Sequence, residues 1–124
     1  MRRDNLRRIL ESVAPIDIDR LRNDDFSRGC FVIEYCGMAL TRNGYYCCGG
    51  GASVDRVFGF DIGLKSLSSV TDSALKNQLT RLCRYCGIFK YNYREERVTT
   101  EEISPSWRDA FERYRKERPA LTLY

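Results

Sequence analysis

Histidine is missing from this sequence altogether. Its absence excludes imidazole general-base catalysis and any zinc site of mixed Cys/His type. No nucleophile elbow and no phosphate-binding loop occurs either, so the enzyme classes built on those motifs find no support. Apolar runs are only a few residues long, against the roughly 20 that a bilayer-spanning helix requires. A mean hydropathy of -0.47 with 31% charged residues points the same way. The opening M-R-R-D-N-L-R-R-I-L-E has no apolar stretch of the signal-peptide kind, which makes a reducing, cytoplasmic setting the expectation. A large surplus of one charge sign is also lacking: 21 Lys/Arg stand against 17 Asp/Glu, for a net charge of +4. Arg2, Arg3, Arg7 and Arg8 cluster, but Asp4 and Glu11 sit among them and the aromatics lie elsewhere. That pattern reads as a solvated helix face, and neither a nucleic acid nor a membrane is expected as partner.

What the sequence does have is cysteine: six in 124 residues, enough chain for one domain. With no imidazole, any chemistry must run through thiolates, carboxylates or a bound cofactor. Asp4 is placed to cap a first helix with Leu6, Ile9, Leu10 and Val13 on one face, stopped by Pro15. Residues 16–29 read as an extended or irregular connector with a turn at Asn23, Asp24 and Asp25. Residues 31–35, F-V-I-E-Y, are β-prone, and residues 38–41, M-A-L-T, form a second strand candidate. Asn43-Gly44 signals a hairpin whose return strand begins at Tyr45 and Tyr46. The glycines within residues 49–64 suggest a looping segment. Thr71 or Asp72 can cap a helix carrying Leu75, Leu79 and Leu82, closing at Gly87. Residues 88–103 are β-prone and then polar. Ser104 and Pro105 open a last helix with Trp107, Ala110, Phe111 and Tyr114 inward, ended by Pro119.

The cysteines carry the strongest functional signal. Cys83-Arg-Tyr-Cys86-Gly places two thiols three apart at a helix end. A thioredoxin-type redox site wants that motif at a helix start, so metal binding is the better reading. Cys30 and Cys36 lie on one side of the hairpin and Cys47 and Cys48 on the other, so its closure draws distant cysteines together. Adjacent Cys47 and Cys48 point to opposite faces of extended chain and are poor partners for each other. Four thiolates suit a [4Fe–4S] cluster or an all-thiolate zinc site. Zinc ribbons usually show two C-x-x-C pairs, and one is present here. Three disulfides are disfavoured without a secretory signal, and six buried free thiols are disfavoured as well.

Three stretches carry a resemblance: C-G-M-A-L-T-R-N-G-Y-Y-C-C-G-G-G-A-S-V-D-R-V-F-G-F-D-I-G, then L-C-R-Y-C-G, then S-P-S-W-R-D-A-F-E-R-Y. Together they resemble the C-terminal auxiliary iron–sulfur region, of SPASM or shorter twitch type, of radical S-adenosylmethionine proteins, over roughly residues 30 to 124. The resemblance implies a single [4Fe–4S] cluster with Cys48, Cys83 and Cys86 as ligands. Cys30 or Cys36 is the fourth, and Cys47 is a spare. Zinc stays as the alternative metal. The C-x-x-x-C-x-x-C motif of the radical core does not occur, and the stretch before Cys30 is short for the core's partial barrel. The expectation is therefore a detached auxiliary module that does not itself cleave S-adenosylmethionine, and is not an enzyme alone. It would serve as an electron-relay, structural or substrate-anchoring unit. Its partner would be a radical core protein or a peptide substrate. The expected fold is small and α+β, a short antiparallel β-hairpin or sheet with flanking N-terminal, central and C-terminal helices. Residues 1–29 are read as N-terminal helix and connector, and 30–124 as the cluster domain with its C-terminal helix. Tyr45, Tyr46, Tyr85, Phe89 and Tyr91 are expected to shield the cluster. Asp55-Arg56 is read more simply as a loop ion pair than as a substrate or second-shell contact.

Overall fold

A computed structural model describes residues 12–89 and 103–117. Among them the chain is α+β, with four helices and one two-stranded antiparallel sheet. The elements in order are α1 (Val32–Cys36), β1 (Ala39–Thr41), β2 (Gly44–Tyr46), α2 (Gly49–Phe58), α3 (Asp72–Leu82) and α4 (Pro105–Glu117). No described helix is long and apolar enough to cross a membrane. The expected helix around Leu6 to Leu10, the residues 90–102 read as β-prone and then polar, Tyr91 and Pro119 all lie outside the described residues.

The hairpin forms where expected, with a shift of one residue at its tip. Thr41 pairs with Gly44 and Ala39 with Tyr46, so Arg42 and Asn43 are the loop residues. Gly44, at φ 123°, is instead the point where the hairpin meets the chain beyond α2: a β-carbon there would stand 2.6 Å from the Leu64 carbonyl oxygen. Tyr45 and Leu64 exchange backbone bonds at 2.8 and 3.0 Å, laying residue 64 along β2.

Two segments differ from expectation. F-V-I-E-Y is not a strand but the short helix α1, none of whose residues is buried. Gly29 (φ 66°) and Gly37 (φ 64°) bracket it in conformations that break an extended run on both sides. The glycine-rich stretch is not a loop: residues 49–58 are α2, with Gly51, Val54, Asp55 and Phe58 buried along one face. Its N-cap is Cys48, whose sulfur accepts from the Gly51 amide at 3.2 Å. That capping bond stands where an oxygen-bearing cap usually does. Three glycines cost about 1 kcal/mol each in a helix interior, but here they occupy only the first turn.

α3 starts on Thr71 as expected, its side chain accepting from the Ala74 amide at 3.1 Å. It ends at Leu82 with Cys83 as C-cap, short of Gly87. α4 runs from Pro105 as expected, but Ser104 does not cap it. The Ser104 hydroxyl accepts from the Ala14 amide at 2.9 Å. The helix-end amide of Ser106 donates to Asp17 at 3.0 Å, and the Ser106 hydroxyl to the same carboxylate at 2.8 Å. Residues 12–17 thus fasten to the start of α4. Residues 12–29 contain 3-10 turns at Pro15–Asp17 and Phe26–Arg28, and contribute Ala14 and Phe26 to the core.

The buried side chains form two clusters. One gathers Tyr46, Val54, Phe58, Leu82, Trp107 and Ala110 between α2, α3 and α4. The other gathers Phe26, Leu79, Cys83 and Phe89, with Cys30, Ile33 and Cys47 against it. The second cluster holds Cys30, Cys47 and Cys83, whereas Cys86 packs against the first.

Candidate metal centre

Five of the six cysteines line one cavity. Cys30, Cys47, Cys48, Cys83 and Cys86 surround it, and Ile33, Leu79, Leu82 and Phe89 form its apolar wall. They arrive on three stretches of backbone: residue 30, residues 47–48 and residues 83–86. Cys30 follows the turn Phe26–Arg28, which Asp25 caps by accepting from the Ser27 amide at 3.0 Å. Cys48 stands at the N-terminus of α2, Cys83 caps α3, and Cys86 lies beyond the turn at residues 83–85. That turn is held from two sides: the Ile16 amide donates to the Arg84 carbonyl at 3.2 Å, and the Trp107 indole to the Tyr85 carbonyl at 2.6 Å.

Cys36 stands apart. It is exposed at the end of α1 and does not line the cavity, whereas Cys30 does. α1 causes the separation, because as a helix it carries Cys36 away from the face on which Cys30 sits. Of the two residues left open as fourth ligand, the structure brings Cys30 to the other three.

The electrostatics link all five cavity cysteines. Burial pushes the Cys83 thiol up, and charge on Cys86, Cys48, Cys30 or Cys47 raises it further. Burial likewise pushes Cys86 up to about 12, with charge on Cys48 and Cys30 adding to it while the amides of Ile88 and Phe89 act against it. Cys30 is raised by burial, opposed by the Val32 amide, with charge on Cys48 and then Cys36 adding to the rise. Cys30, Cys47, Cys83 and Cys86 are therefore raised in one neighbourhood, where charge on Cys48 opposes each of them. Backbone amides meanwhile approach three of their sulfurs: Val32 at Cys30, Gly51 at Cys48, and Ile88 with Phe89 at Cys86.

Space around the sulfurs is shaped by glycine. A β-carbon at Gly50 would lie 3.9 Å from both Cys48 Sγ and Cys86 Sγ, and one at Gly51 would lie 3.1 Å from Leu82 and 3.5 Å from Cys48 Sγ. The space at the cavity's centre open to a water-sized sphere is about 20 Å³. That is room for one water, so a cluster would have to spread the thiols that now lean into it. Among the described residues, no group of three or more Cys, Asp or Glu is arranged to close on a single metal ion.

Of the residues expected to shield this site, Phe89 lines the cavity. Tyr85 instead packs against Phe58 at 4.5 Å and Phe60 at 5.3 Å. Tyr46 is buried and donates its hydroxyl to Asp55. Asp55 also accepts from the Ile62 amide at 3.0 Å. Asp55 is thus a buried clamp on α2 between hairpin and following chain, not a member of a loop, and Arg56 donates to the Tyr114 hydroxyl at 3.3 Å.

Sequence reasoning missed Gln78. It is buried on α3, accepts from the Cys47 amide at 3.0 Å, and donates to the Tyr45 and Ile62 carbonyls at 2.8 and 3.1 Å. The available signal was its place on the Leu75, Leu79, Leu82 stripe, where a polar residue needs a partner. No protein-family model, no curated protein and no solved structure matches the chain.

Proposed function

We propose that this chain holds one [4Fe–4S] cluster through Cys30, Cys48, Cys83 and Cys86, as an electron-relay or structural module of a radical S-adenosylmethionine system. The observation that carries this reading is the convergence of four thiols, from three separate stretches of backbone, on one apolar-walled cavity. As bare thiolates they would be stripped of water and repel one another. A polyvalent metal centre relieves both penalties, because ligation takes the place of the protons. Amides near three of the sulfurs are the contacts that tune such a centre.

Four protein thiolates fill the coordination of a cubane, which favours relay or structure over anchoring a substrate on an open iron. When bound, such a cluster supplies one-electron chemistry. The chain's own residues hold it, wall it off from water with Ile33, Leu79, Leu82 and Phe89, and aim backbone dipoles at its ligands. The SPASM- or twitch-like character indicated by the sequence belongs to the same proposal, with a radical core protein or a peptide substrate as partner. Radical generation is not assigned to this chain, which lacks C-x-x-x-C-x-x-C.

Zinc is the competing occupant, since four thiolates suit it too. Anaerobic reconstitution with ferrous iron and sulfide decides between them. The proposal expects a brown protein that bleaches with dithionite and gives an electron paramagnetic resonance signal. Cys36→Ser should leave that signal unchanged, and Cys30→Ser should remove most of it. A colourless product that takes up only zinc would contradict the proposal.

A further inference from the structure

Cys47 and Cys48 both line the cavity, yet they are held in opposite ways. The Cys48 sulfur accepts from the Gly51 amide at 3.2 Å, a bond suited to an anionic ligand. Cys47 is fastened twice to α3: its backbone amide donates to the Gln78 side-chain oxygen at 3.0 Å, and its thiol donates to the Leu75 carbonyl at 3.5 Å. Gln78 is itself immobilised. Only 2% exposed, it uses its own NH₂ group on the carbonyls of Tyr45 and Ile62. One side chain therefore ties together the return strand, the segment after α2 and the residue before Cys48.

We propose that Gln78 is a positioning residue that decides which of the two adjacent cysteines becomes the ligand. The two cysteines are adjacent and Cys48 is extended, so one pinned amide limits how far either side chain can turn. Holding the Cys47 amide on α3 turns Cys48 toward the cluster and keeps Cys47 in the wall, with its thiol on Leu75. The selection rests on the cluster reading above, whereas the pinning can be read without metal.

The test compares the full chain with Cys47→Ser, Cys48→Ser, Gln78→Met and the double variant Cys48→Ser/Gln78→Met. Each is reconstituted anaerobically with iron and sulfide and analysed for both. Hydrogen exchange at the Cys47 amide is followed in metal-free wild type, Gln78→Met and Gln78→Glu. Cys47→Ser is expected to keep the wild-type iron and sulfide, and Cys48→Ser to lose most of it. Releasing the pin frees Cys47 to turn inward, so the double variant should hold more iron than Cys48→Ser alone. A Gln78 with only a structural role would make the double variant worse. The Cys47 amide should exchange roughly tenfold faster in Gln78→Met, the factor one buried hydrogen bond commands. Gln78→Glu, which keeps an acceptor oxygen, should restore protection. Equal iron loss in Cys47→Ser and Cys48→Ser overturns the proposal, as does unchanged exchange in Gln78→Met. A folded double variant without recovery overturns it too. If wild type takes up no iron, the cluster reading fails, and exchange at Cys47 then decides the pinning.

Discussion

Burial pushes Cys47 up to about 11 and Cys86 up to about 12 from an ordinary 9.0, with Cys30 and Cys83 raised as well. In the metal-free chain these thiols keep their protons when folded at pH values where the unfolded chain releases them. Their contribution to stability is whole below pH 9.0 and is lost as the pH climbs through 11 and 12. Each adds a slope of at most about 1.4 kcal/mol per pH unit. Urea unfolding of metal-free protein should show stability falling steeply above pH 9.0, whereas cluster-loaded protein, with only Cys47 of these thiols still protonated, should show a much shallower slope. A flat metal-free profile would contradict the buried placement. Gly50 allows a second residue-scale prediction. Alanine there gains up to about 1 kcal/mol of helix propensity, but its methyl enters the gap 3.9 Å from two ligand sulfurs. Gly50→Ala should therefore raise the melting temperature of metal-free protein and lower its iron retention. Iron retention at the wild-type level would place the metal elsewhere.

At the scale of elements, the hairpin, α3 and α4 were legible because each carries a local signal: Asn43-Gly44, Thr71 before an apolar stripe, and Pro105 before Trp107. α1 was not, since Val32, Ile33 and Tyr35 favour strands and only the two flanking glycines decide otherwise. α2 was hidden by its three glycines, although positions 51, 54, 55 and 58 have helical spacing. The same errors explain what was legible of the site. Cys48, Cys83 and Cys86 stand next to readable signals, but that Cys30 and not Cys36 lines the cavity could not be read without knowing that α1 is a helix. The cap of α4 was also out of reach, because Asp17 comes from the other end of the chain. Asp17→Ala should cost about 1 kcal/mol, a loss typical of a helix cap, and lower the melting temperature by a few degrees. Iron content should stay unchanged, and an unaltered melting temperature would remove Asp17 as the cap.

For the whole molecule, the cavity is assembled from contacts distant in sequence. Phe26 packs on Phe89 at 4.9 Å, Ile16 holds Arg84, and Trp107 holds Tyr85 between Cys83 and Cys86. The C-terminal helix thus supports the C-x-x-C turn. Trp107→Phe keeps most of the ring packing but leaves the Tyr85 carbonyl unpaired, at a cost of about 1–3 kcal/mol. It should also shorten the lifetime of bound iron under chelator challenge, and a lifetime equal to wild type would show that the turn needs no such support. Most direct of all is the content of iron, acid-labile sulfide and zinc in the chain purified anaerobically. The account predicts about four iron and four sulfide per chain and no zinc, as a single cubane requires. One zinc with no sulfide would contradict it.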